Sequence, residues 1–191
     1  MRPSSRTIPT RVRLGGTAAV LAGLCYGAAG YLDRPGIPEY TSVLVSVLSV
    51  AIPALFLGGL IGLHTRLVLV ARTNLASEAG LVLGCFGSAL GIFGALGLAR
   101  HPYSHITQWW WALMLAGLAL MGLSSSLKAG LRILGAVVAI SSALGLVSLL
   151  TDPAFPGVLV PMRSVHVASA AAFCLSSVVW GSLLMMLHEN R

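Results

Sequence analysis

Residues 79–99 read AGLVLGCFGSALGIFGALGLA, without a single Asp, Glu, Lys or Arg. A bilayer's hydrocarbon core is about 30 Å thick and takes roughly 20 helical residues to cross, so this stretch predicts a transmembrane helix. A membrane-barrel strand needs about half that length, and lipid cannot satisfy open backbone groups; a helix is the form that fits. Gly80, Gly84, Gly87, Gly91 and Gly94 follow one another at alternating steps of four and three. A heptad row drifts only about 20° per seven residues, so the glycines stay on one seam of a left-handed helix pair. With no side chains along that seam, a neighbouring backbone can approach closely, and dispersion and Cα–H contacts hold the pair. This third span is therefore expected at the centre of the bundle.

The same pattern repeats outward along the chain. Charge-free apolar stretches near 14–32, 41–63, 109–127, 133–150 and 164–187 add five spans, separated by links too short for a soluble domain. The expected architecture is an all-α integral membrane six-helix bundle, with a basic segment 1–13 before it and a short tail 188–191 after it. Composition agrees: 57% hydrophobic residues, 9% charged residues and a mean hydropathy of +0.90 leave too little polar surface for a soluble domain of 191 residues.

Charge sets the expected orientation. Arg2, Arg6, Arg11, Arg13, Arg66, Arg72, Lys128, Arg132 and Arg191 fall on one side of the six spans, and Arg34, Arg100 and Arg163 on the other. Loops rich in Lys and Arg stay cytoplasmic, so both termini are expected inside, in an inner or plasma membrane of prokaryotic type. Glu78 and Glu189 join the first group and Asp33, Glu39 and Asp152 the second, which assigns the whole net charge of +7 to the inner side. The pI of about 10.2 thus reflects topology and contact with anionic lipid. Nucleic acid is not an expected partner, because the basic residues are spread over short loops with no aromatic-interleaved patch. The first span has a basic start and the small run Gly27, Ala28, Ala29, as a signal peptide would. Its apolar run is long for one, and it is read as a retained helix.

Other small-residue rows stand in span one (Gly15, Ala19, Gly23, Gly27) and span five (Gly135, Ala139, Ser142). Such rows either pack the bundle on itself or leave one stripe facing a second membrane protein or a second copy. Pro53 lies inside span two, where it removes a backbone donor and frees the Ser49 carbonyl; Ser42, Ser46 and Ser49 precede it on one face. A kink beside hydroxyls can line a polar cavity, as in transporters. Leu21–Leu24 and Leu115–Leu118 both read LAGL, in spans of opposite sense, which raises the idea of two inverted halves. Against pumps and voltage sensors stands the lack of ionisable residues deep in these spans.

Residues able to carry chemistry are few. His101, His105 and His166 lie on the outer side, and His101 and His105 share a face if Pro102 opens a helical turn, so the three could hold a metal ion or haem. Interfacial histidines that bond head groups or water are the commoner case, and no cofactor is expected. Trp109, Trp110 and Trp111 are expected as anchors in the outer interface. Cys25, Cys85 and Cys174 occur singly, without the pair that a thiol exchanger needs. The chain has no His-Glu-x-x-His, no Gly-x-Ser-Gly nucleophile and no phosphate loop. These readings converge on a non-catalytic scaffold or accessory subunit of a membrane assembly. The alternative is a small-molecule or lipid transporter using the Pro53 helix, and the third is a redox or metal-binding enzyme on the outer histidines.

Overall fold

The computed structural model describes residues 9–32, 41–70, 73–97, 105–151 and 163–186. They form six α-helices: α1 (Thr10–Leu32), α2 (Thr41–Val70), α3 (Leu75–Gly97), α4 (His105–Ser126), α5 (Arg132–Thr151) and α6 (Arg163–Met186), with a 3-10 turn, Ala129–Leu131, before α5. All six are long and apolar enough to cross a membrane. At 1.5 Å per residue the 30-residue α2 is about 45 Å long, well over a hydrocarbon core of about 30 Å. The expected span 41–63 therefore runs on as helix for two more turns and carries His64 and Arg66 within it.

The helices form a closed ring in chain order, each packed on its two neighbours, with α6 closing on α1. The close approaches show that every adjacent pair is antiparallel. Gly15 of α1 meets Gly62 of α2, and Gly16 meets Gly181 of α6. Leu60 and Pro53 of α2 meet Gly84 and Gly91 of α3, and Gly80 and Gly87 of α3 meet Gly117 and Met114 of α4. Gly122 of α4 meets Ala139 of α5, and Ser141 and Ser148 of α5 meet Ser176 and His166 of α6. The start of α1 and the end of α6 thus share one end of the bundle, called here the terminal end. A single sense of winding through all six helices excludes an inverted pair of halves. A half-turn about an axis in the membrane plane would reverse the winding of α4–α6 relative to α1–α3, so the LAGL echo reflects no symmetry of the fold.

Large and small residues divide between helices. The buried large side chains come mainly from α2 (Ile52, Phe56, Leu60, Leu63, Leu67), α4 (Trp111, Met114, Leu115, Leu118, Met121) and α6 (Phe173, Trp180, Leu184). By contrast, α3, expected at the centre of the bundle, takes one place in the ring like the rest, and among its described residues buries only Ser77, Gly80, Gly84, Gly87, Ser88, Gly91 and Gly94. Its larger residues Val82, Phe86 and Phe93 face outward, where lipid would lie. Lipid tails are as apolar as Leu, so these exposed faces would carry little penalty in a bilayer, where packing and not exclusion of water holds helices together.

A polar lock fixes the corner between α2 and α3. The Asn74 side-chain oxygen accepts from the Ser77 amide at 2.9 Å while the Ser77 hydroxyl accepts from the Asn74 amide at 3.1 Å, a reciprocal cap on the start of α3. The Ser124 hydroxyl of α4 donates to the same Asn74 oxygen at 2.7 Å, so one side chain caps α3 and ties it to α4. Replacing Asn74 with Ala should lower stability by about 1–2 kcal/mol, more than a cap alone, because Ser124 also loses its acceptor. Thermal unfolding of the Asn74→Ala and Ser124→Ala proteins checks this; if both match the parent, the lock carries no weight.

Candidate functional sites

The glycine row of α3 is turned inward. A Cβ added at Gly87 would stand 2.7 Å from both the Trp110 carbonyl oxygen and the Met114 amide nitrogen of α4, and one at Gly80 would stand 2.8 Å from the Gly117 carbonyl oxygen. From the other side, a Cβ at Gly117 would lie 2.5 Å from the Gly80 oxygen and 2.6 Å from the Gly84 nitrogen. Real Cβ atoms essentially never approach backbone this closely, so α3 and α4 touch main chain to main chain. Gly84 also receives Leu60 of α2, and Gly91 lies between the Trp110 ring and Pro53. Gly94 is buried on the same face.

The row of α1 behaves differently, for a geometric reason. Residues four apart advance by about 40° round a 3.6-residue helix, so a row built only of steps of four winds across the surface. Gly15 and Ala19 accordingly face Gly62 and Gly59 of α2, whereas Gly23 and Gly27 face Cys174 of α6. Gly27 makes ordinary contact with the Cys174 sulfur and is otherwise exposed. Partners that sequence reasoning did not single out complete these seams. Gly58, Gly59 and Gly62 lie against α1, Gly16 and Gly181 face each other across α1 and α6, and Gly122 meets Gly135 and Ala139 across α4 and α5. The signal for them was present as small residues in facing spans, but their pairing depends on which helices are neighbours.

The three tryptophans part company. Trp109 is 61% exposed, whereas Trp111 is 7% exposed and lies in the centre of the ring. Tyr26 of α1 stacks on Trp111 at 4.9 Å and 16°, and Phe56 of α2 and Phe173 of α6 meet its ring at 5.6 and 5.4 Å. Trp110 meets Trp111 edge-on at 4.8 Å. Trp111 is thus a core residue and not the anchor expected of it: at about 100° per residue Trp109 and Trp111 stand about 200° apart round the helix, so one can face outward while the other packs inside.

Of the serines before Pro53, the two whose side chains are described do not face the interior. Pro53 is buried against α3, while Ser46 and Ser49 lie on exposed parts of α2. The Ser49 hydroxyl donates back one turn to the Val45 carbonyl at 2.8 Å, and α2 continues through Pro53 as one helix. The side chain of Ser42 falls outside the described residues.

Of the outer histidines, His101 and the side chain of His105 fall outside the described residues. His166 is half-buried at the end opposite the termini, with Nδ1 2.8 Å from the Ser148 carbonyl oxygen. A carbonyl can only accept, so Nδ1 carries the proton and donates, closing one of the last carbonyls of α5. Among the described residues no three His, Cys, Asp or Glu side chains converge as metal ligands.

The terminal end gathers Arg11, Arg13, Arg66, Lys128 and Arg132. Arg66, counted from sequence as a loop residue, is only 3% exposed on the inner face of α2. One turn further on, Val70 packs near Gly130 at the corner between α4 and α5. His64 pairs with Glu78 of α3 at 3.3 Å, an exposed contact that orders the corner without adding much stability. Deeper in the bundle the Ser88 and Ser177 hydroxyls and the Trp180 indole nitrogen are buried with no hydrogen-bond partner among the described residues. No family model, curated protein or solved structure matches the chain.

Proposed function

We propose that this chain is a six-span protein of the inner or plasma membrane, with both termini cytoplasmic, acting as a non-catalytic scaffold or accessory subunit of a membrane assembly. The observation that carries the reading is the filled interior. Phe56, Phe173 and Trp180 are fully buried and Trp111 nearly so, along the axis that a wide path would have to follow. Around them the ring closes through main-chain contacts at Gly15, Gly87 and Gly117. Such a body is suited to holding its shape in lipid, and it offers other membrane proteins its exposed sides, among them the Val82, Phe86 and Phe93 face of α3. Lipids are the other proposed partners, through the basic terminal end.

Native mass spectrometry of tagged protein, extracted in mild detergent from its own host, tests the proposal. A stoichiometric protein partner or a defined oligomer is the expected result, and a lone chain in every detergent overturns it. Orientation has its own test. A green fluorescent protein fused after Arg191 should fluoresce and an alkaline phosphatase fused there should be inactive; the opposite pattern would reverse the assigned sidedness.

Transport is the second reading, favoured by the buried Ser88, Ser177 and Trp180 polar atoms and by Arg66, since burying such groups in a membrane body is costly. Under this reading the filled structure is one closed state, and the same mass spectra should show a retained lipid or small molecule on an otherwise solitary chain.

A further inference from the structure

We draw no further inference here: the strongest candidate, the groove of about 460 Å³ between α5 and α6 near the end opposite the termini, lined by Leu144, Ser164, Val165, Ala168, Ser169 and Ala172, is an apolar face whose buried hydroxyl, Ser169, is already bonded to the Val165 carbonyl of its own helix, and nothing in the structure shows what covers it.

Discussion

Replacing Gly117 with Leu should lower stability by about 3 kcal/mol and the unfolding temperature by roughly 10 °C. The Cβ alone would stand 2.5 Å from the Gly80 carbonyl oxygen and 2.6 Å from the Gly84 amide nitrogen. Both are backbone atoms of a helix that α2 holds from its other flank, with Leu60 against Gly84 and Pro53 against Gly91. Neither can yield as a flexible side chain would, so α3 and α4 must separate along the whole seam and lose its dispersion contacts together. Gly87→Leu should act alike, since its Cβ meets the Trp110 oxygen and Met114 nitrogen at 2.7 Å. Gly30 supplies the control. Nothing lies within 4 Å of a Cβ there, so Gly30→Ala should be neutral or slightly stabilising through the higher helix propensity of Ala. Thermal unfolding in detergent, followed by loss of the monodisperse species, separates the three. Equal midpoints for Gly117→Leu and Gly30→Ala would show that the seam is not as tight as described.

The second large effect is expected at the centre of the ring. Trp111→Ala removes the ring on which Tyr26 stacks and against which Phe56 and Phe173 pack, and it leaves a cavity bordered by three aromatic side chains on three other helices. In a soluble core such a truncation costs about 3–5 kcal/mol. In lipid the transfer part of that cost is smaller, because the surroundings of the unpacked helix are apolar too, so about 3 kcal/mol is expected. Trp109→Ala, at a residue 61% exposed, should change stability far less and act mainly on depth in the bilayer. The comparison decides between core and interface for two residues only two apart in sequence. If Trp109→Ala were the more damaging, the assignment of Trp111 to the core would fail.

Both predictions rest on pairings that sequence reasoning reached unevenly. The α3 row was legible because a heptad step keeps its glycines on one line whatever the neighbour is. The α1 row was legible as small residues but not as a seam, since steps of four carry Gly15 and Gly23 round to different neighbours, α2 and α6. Gly59 carries no signal in the sequence, because a single glycine gains meaning only from what it faces. Ser46 and Ser49 share a face as expected, but which way that face points depends on the rotation of α2 in the ring, and its partners turn it outward. Arg66 was read as a loop residue because an apolar window ends at the first charge. The helix does not end there: α2 runs on to Val70 and carries Arg66, 3% exposed, within it.

What the sequence by itself determined was the helical class and the number of helices long and apolar enough to span a membrane. Both follow from length and hydropathy, which act locally: each stretch must satisfy its backbone within itself to sit in lipid, whatever its neighbours do. Only the tertiary structure decided the order of helices round the ring, the inward turn of Trp111, the burial of Arg66 and the partners of each glycine. These depend on the rotation and register of each helix against the others. Packing of facing surfaces sets both, and no single segment carries that information.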